Sequence, residues 1–317
     1  MQEVRIKSVV MGLAMFAAMN AGAAAQAPPA ANNWEQQFAK EPVGTAMVYK
    51  TADGQPLHAY VLQPTDSGTK HVAIVFFHGG GWTGGSVTQF NKQMKALAAR
   101  GMVAIDVEYR LIPKANSKES PEKCVEDAKS AMRWVRANAV TLRVDPDRII
   151  ASGGSAGGYL AAGVALISGW DDPQDDLKIS PKPQALVLFF PVLDVTQPQW
   201  VRQRFGPDVE KYSPTSLLNA SAPPTIIEAG AADKLVPPEE VKRYKERCDA
   251  VGAKCILDFY DGQPHGFANS EPYNSLTLNV VMHFLESLGY LQKDTPDVVV
   301  PVVKKKTPAE ATDPEGR

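Results

Sequence analysis

The chain is poor in the residues that would announce a metal or redox centre. Its 317 residues include three cysteines and five histidines. Cys124, Cys248 and Cys255 form no C-x-x-C pair and no cluster with histidine, so neither a metal site nor another cofactor is expected. There is no excess of either charge: 33 Lys+Arg face 35 Asp+Glu, a net charge of −2. A nucleic-acid binder usually carries a basic surplus, so nucleic acid is not an expected partner. No apolar run reaches the ~20 residues of a membrane-spanning helix, and no internal repeat is visible. A composition of 44% hydrophobic and 21% charged residues excludes bulk disorder and fibres. What remains is a globular chain, long enough for one large domain with a sizeable core.

The two ends differ from the middle. Arg5 and Lys7 precede an apolar run from Val9 to Met19, and Ala23-Ala24-Ala25 offers a cleavage site. Residues 1–25 therefore read as a secretory signal peptide, too short for a stable membrane anchor, and the mature protein is expected to be secreted or periplasmic. Residues 26–42 read as a lead-in, 43–292 as the main domain and 293–317 as a flexible tail, with 298–303 able to add an edge strand. In an oxidising compartment two cysteines can pair. Cys248 and Cys255 flank a helix end at Gly252, and a bridge between them is the expectation, with Cys124 left free.

Between the ends, short apolar runs alternate with amphipathic stretches. Strands are expected over 46–50, 57–62, 71–77, 102–107, 149–151, 185–190, 225–229 and 254–260. Helices are expected over 89–100, 121–137, 156–167, 238–251 and 273–288. VAIVFF and ALVLFF are apolar at consecutive positions, as in strands of a parallel sheet covered on both faces. Strand-then-helix order implies right-handed crossovers, hence an α/β fold with a mostly parallel, doubly wound sheet. The first two strands, separated by Asp53-Gly54, read as an antiparallel hairpin added to it.

Two glycine-rich segments carry the chemistry. Gly153-Gly154-Ser155-Ala156-Gly157-Gly158 holds G-x-S-x-G directly between a strand and a helix. A serine on so sharp a turn is lifted above the sheet, at a helix N-terminus that favours developing negative charge. His78-Gly79-Gly80-Gly81-Trp82 follows the buried strand VAIVFF. Glycines there let backbone N–H groups turn inward around an oxyanion. The expected donors are Gly80 and Gly81, joined by Ala156 after the nucleophile. A phosphate loop would need a Lys-Ser/Thr ending or G-x-G-x-x-G, and has neither. The serine needs a base. His58 lies in the hairpin, His71 opens a strand on the surface, His78 sits in the glycine loop and His283 in the last helix. His265 alone follows the last core strand in a loop, where open α/β sheets carry function. An acid between Ser155 and His265 in the chain should orient that histidine. Asp233 follows TIIEAGAA and fits, although it could equally cap the helix after it. Glu228 and Asp258 fall within strands, and Asp261 is too close to His265.

HGGGW, the Tyr109–Leu111 triplet YRL, DPDRI before GGSAGG, and the late D…HGF pair together resemble the α/β-hydrolase superfamily. The likeness is to secreted carboxylesterases near the hormone-sensitive-lipase and acetylxylan/feruloyl-esterase groups, and it covers most of the mature chain. It implies an α/β-hydrolase fold with Ser155 as nucleophile, His265 as base and Asp233 as acid. Few residues precede HGGGW, so only a minimal cap is expected, favouring small esters or acylated carbohydrates over lipids. Amide or peptide hydrolysis, as in arylformamidase-like relatives, is the rival enzymatic reading. A catalytically silent binding protein is the non-enzymatic one. Trp82 is expected to touch substrate. Trp170, Trp200, Phe205 and Tyr212 could line a pocket or simply pack. Asp171 to Asp176 lacks the spacing of a calcium loop and reads as a solvated acidic loop.

Overall fold

In the computed structural model, residues 40–197 and 199–295 are described. The expected signal peptide, most of the expected lead-in and the expected edge strand at 298–303 lie outside them. β3 (His71–Phe77) and β6 (Ala185–Phe189) are buried at every position. Along β3 the side chains still alternate: Ala73, Val75 and Phe77 enter one core, Ile74 and Phe76 the other. Both cores are apolar, so the run loses the polar alternation of a half-exposed strand.

The other strands are β1 (Thr45–Ala52), β2 (Gln55–Leu62), β4 (Val103–Val107), β5 (Val144–Gly154), β7 (Thr225–Gly230) and β8 (Cys255–Tyr260). They form one sheet in the order β1-β2-β4-β3-β5-β6-β7-β8. β1 pairs with β2, and β2 with β4, in antiparallel fashion; all other pairs are parallel. The hairpin turn has Asp53 and Gly54 both at positive φ, 50° and 76°, as a right-twisted two-residue connection requires. Helices α1 (Asn91–Ala99) and α7 (Tyr273–Ser287) pack on one face, and α2 (Glu122–Ala137), α3 (Ala156–Leu166) and α6 (Pro238–Val251) on the other. Two single-turn helices, α4 (Gln199–Arg202) and α5 (Pro214–Leu217), lie between β6 and β7. They are too short to show an apolar period. α6 stops where Gly252 takes a left-handed φ of 75°, as helices commonly do.

Some expectations are corrected. The acidic segment 171–176 is not simply solvated: Asp176 is exposed, but its other three aspartates are paired. Asp171 and Asp175 pair with Arg133, Asp171 also with Lys129, and Asp172 with Lys50. Arg133, Lys129 and Lys50 are themselves nearly buried, so the segment neutralises cations on α2 and β1 that burial would otherwise penalise. His71 is buried, its ring held between the carbonyls of Gly101 and Gly68. The three cysteines are free thiols. Cys248 and Cys255 share a hydrogen bond instead of the expected bridge, which pulls the pKa of Cys248 down and pushes that of Cys255 up.

Candidate active site

β5 runs straight into α3 through Ser155, whose φ of 54° and ψ of −118° no ordinary strand or helix residue adopts. The turn is possible because its flanks have no side chains. A Cβ on Gly157 would stand 1.9 Å from the carbonyl oxygen of Phe77, far inside contact distance. Ser155 N–H donates to Phe189 O at 3.0 Å, so the turn is fastened to β6 as well.

Three loops beyond the C-terminal ends of β5, β7 and β8 bring Ser155, Asp233 and His265 together. His265 Nε2 lies 2.9 Å from Ser155 Oγ, and His265 Nδ1 lies 2.7 Å from Asp233 Oδ2. With Asp233 ionised, Nδ1–H donates to the carboxylate and Nε2 is free to accept the serine proton. The other oxygen, Oδ1, accepts the backbone N–H groups of Leu235 at 2.8 Å and Val236 at 2.9 Å. Asp233 therefore both caps the turn into α6 and faces the histidine. The Phe190 ring meets His265 edge-on at 5.1 Å. Glu228 goes elsewhere: its Oε2 accepts the Tyr260 hydroxyl at 2.6 Å. Full burial, with Asp258 nearby, pushes its pKa well above the usual carboxylate range.

The glycine loop is gripped peptide by peptide. Gly79 N–H donates to Gln89 Oε1 at 2.7 Å, and Tyr109 Oη–H donates to His78 O at 2.7 Å. Gly79 O lies 2.7 Å from His78 Nδ1. Gly80 O accepts Thr83 N–H at 3.1 Å, and Gly81 O accepts Arg204 Nη1 at 3.2 Å. Burial pulls the His78 pKa down to about 4, so its ring is neutral and its Nδ1–H can serve as the donor. In a trans peptide the C=O and the next N–H point in opposite directions. Holding the carbonyls of Gly79 and Gly80 thus aims the N–H groups of Gly80 and Gly81 away from their clamps. Neither N–H has a protein partner among the described residues. The loop lies against the serine: a Cβ on Gly79 would stand 3.3 Å from Ser155 Cβ. Ala156 begins α3, where helix N–H groups lack intrahelical partners.

Trp82 is not on an open wall. Its side chain is fully buried, edge-on to Tyr159, with the Arg204 guanidinium 4.7 Å from its ring. It supports the loop from beneath. Trp170 and Tyr212 stack at 4.0 Å with an interplanar angle of 8°, and Phe205 packs against both and Tyr159. These rings pile on one another over α3.

Several of these residues escaped the sequence reading. Tyr109 was visible only as part of YRL. The structure accounts for that triplet: Tyr109 braces the glycine loop, while Arg110 reaches Asp127 of α2 through its backbone N–H and two guanidinium nitrogens. Gln89 was absorbed into an expected helix, and Arg204 and Phe190 carried no motif.

A family model, BD-FAE, matches residues 60–247. The chain belongs to the BD-FAE family. That places it among the α/β-hydrolase carboxylesterases, with the fold and motifs described above. Apo esterase 2 of Thermogutta terrifontis superposes with a TM-score of 0.76 at 38% identity, covering 81% of this chain and 98% of that one. Other structures of that esterase hold propionate or butyrate, or are phosphonylated by sarin. The probable carboxylic ester hydrolase LipM of Mycobacterium tuberculosis is 28% identical over 64% of this chain and 51% of its own length. Carboxylesterase NlhH of the same organism is 28% identical over 62% of this chain and 66% of its own. This BD-FAE chain thus spans between half and two thirds of those two relatives.

Proposed function

We propose that the protein is an exported serine carboxylesterase acting on short-chain acyl esters, with Ser155 as nucleophile, His265 as general base and Asp233 as its orienting acid. The observation that carries this reading is the unbroken hydrogen-bond chain Ser155–His265–Asp233 beside a glycine loop with two N–H groups unpartnered among the described residues. In this mechanism Ser155 Oγ attacks the ester carbonyl carbon as its proton passes to His265 Nε2. The C=O electron pair moves onto oxygen, which sits between the N–H groups of Gly80, Gly81 and Ala156. Each such donor contributes about 3 kcal/mol to the transition state. Collapse breaks the bond to the alcohol oxygen, which takes the proton from His265. Water, deprotonated by the same histidine, then cleaves the acyl-enzyme.

The propionate and butyrate in the related esterase support a short acyl site. So does the chain's economy: helices α4 and α5 are single turns, and Trp170, Phe205 and Tyr212 are spent on packing against one another. Each further methylene left in water forgoes about 0.8 kcal/mol of burial. An open alcohol side would suit an acylated carbohydrate, with acetyl and feruloyl groups on plant polysaccharides as candidate substrates.

The test is a panel of p-nitrophenyl esters from acetyl to octanoyl, with acetylated xylan, feruloyl esters and peptide amides alongside. Short esters should give the highest kcat/KM, and Ser155→Ala should fold normally while losing turnover by several orders of magnitude. A maximum at octanoyl or beyond would make the protein a lipase, faster amide cleavage a peptidase, and an active Ser155→Ala variant would remove the nucleophile.

A further inference from the structure

Gln89 joins the glycine loop to the histidine loop. It is almost fully buried, just before α1. Its Oε1 accepts Gly79 N–H at 2.7 Å, and its Nε2 donates to Asn269 Oδ1 at 3.1 Å. Asn269 closes the short 3₁₀ turn Phe267–Asn269, two residues beyond His265 in the chain at its start. The same amide also lies against the serine turn: a Cβ on Gly154 would stand 3.2 Å from Gln89 Nε2. One carboxamide therefore contacts the glycine loop, the serine turn and the loop that follows His265.

From this geometry we propose that Gln89 is a positioning residue, which sets the oxyanion donors by fixing the His78–Gly79 peptide and is itself held in place by Asn269. The inference rests on the esterase reading. The His78–Gly79 peptide is gripped at both ends, by Tyr109 at its oxygen and Gln89 at its nitrogen. Released at the nitrogen, it can rotate about its axis and carry the next peptide, whose N–H belongs to Gly80, out of register. The donors matter most when the carbonyl oxygen has become an anion, so the loss should fall on the transition state and spare ground-state binding. The backbone N–H of Gly79 can only donate, so the glutamine oxygen turns towards it and Nε2 is left to donate to Asn269 Oδ1.

Gln89→Met keeps the bulk and removes both bonds. It should lower kcat on p-nitrophenyl acetate roughly 10- to 100-fold, the cost of a misplaced catalytic group, with KM within about threefold of the parent. Binding of a trifluoromethyl ketone, which forms an oxyanion on the serine, should weaken by a similar factor, and the acidic limb of the pH profile should stay in place. Gln89→Glu tests the same bonds another way. Protonated, the introduced carboxyl accepts from Gly79 and donates to Asn269 as the amide does. Ionised, it loses the donor and sets a negative charge beside the oxyanion loop. The ratio of its kcat to the parent's should therefore fall as pH rises. An unchanged kcat in Gln89→Met, or a loss confined to KM, overturns the proposal. If Gln89→Met does not fold, a pH-independent ratio in Gln89→Glu overturns it instead. Ser155→Ala, measured in parallel, separates this failure from failure of the esterase reading, which would show as full activity without the serine.

Discussion

The two oxygens of Asp233 have separate tasks, and the division decides what an amide in its place would do. Oδ1 must accept two backbone N–H groups, from Leu235 and Val236. An amide nitrogen cannot accept them, so Asp233→Asn is forced to turn its NH₂ towards His265 Nδ1. That nitrogen then becomes an acceptor, the ring proton moves to Nε2, and the atom facing Ser155 can no longer take a proton. Esterase kcat in Asp233→Asn should fall by roughly 10⁴, the size seen when a triad acid elsewhere becomes an amide. Glu228→Gln should cost little, because this side chain faces away from His265 and its Oε2 accepts the Tyr260 hydroxyl, a bond the amide oxygen can keep. Rates measured on the two variants check this, and reversed losses would exchange the two roles. Chain order and strand ends were enough to choose Asp233 over Glu228 in the sequence. Nothing in the sequence said that the cap and the histidine partner were one arrangement, because both depend on where β8 brings its loop.

Helix α6 and the loop after β6 meet through Glu240. Its Oε1 accepts the backbone N–H groups of Leu193 and Asp194 at 3.0 and 3.2 Å. Arg243, one turn on, binds Asp194 at 2.8 Å. Those bonds favour a charged carboxyl, but burial outweighs them and raises the Glu240 pKa from 4.5 to about 8. The folded protein then holds a proton that the unfolded chain releases above pH 4.5. Stability from this group is lost as pH rises from about 4.5 to 8. His78 acts in the opposite sense: its pKa is lowered to about 4, so its contribution is lost as pH falls from about 6.5 to 4. Glu240→Gln keeps the acceptor and removes the proton. Its melting temperature should match the parent near pH 5 and exceed it at pH 8, by thermal melts at both values. The order of the longer elements was legible because their own residues display either a period, 2 or 3.6, or, as in β3 and β6, an unbroken apolar run. The clamps were not. Gln89, Arg204 and Tyr109 act through a few polar contacts to other segments of the chain, which leave no local period. The acidic segment was misread for the same reason: its cations sit on β1 and α2.

At the scale of the whole molecule, all the machinery lies along one edge of the sheet. Ser155, Asp233 and His265 follow β5, β7 and β8, and the glycine loop follows β3. In a parallel sheet the strand C-termini share an edge, so ligands collect there. The antiparallel hairpin at the far side adds breadth without adding to the site. The α/β architecture, and the choice of Ser155, Asp233 and His265 as residues that the fold brings together, could be read from alternation, chain order and two glycine motifs. Export is a separate matter, carried by the N-terminal pattern alone. The protein expressed in a Gram-negative host should be recovered from the periplasm with a mature N-terminus near Gln26. N-terminal sequencing that finds Met1 on soluble cytoplasmic protein would remove the exported reading.

The clamped glycine loop also makes the site visible without any substrate turnover. Amide protons in hydrogen bonds exchange with solvent slowly, and those without partners exchange fast. Gly79 donates to a buried side chain, while Gly80 and Gly81 donate to nothing among the described residues. Three successive glycines should therefore differ sharply in exchange rate: slow, fast, fast. A boronic acid that turns the serine into a tetrahedral anion should slow the second and third and leave the first alone. Residue-resolved deuterium exchange reads this directly, and uniform protection across the three would mean that the loop is not held as described.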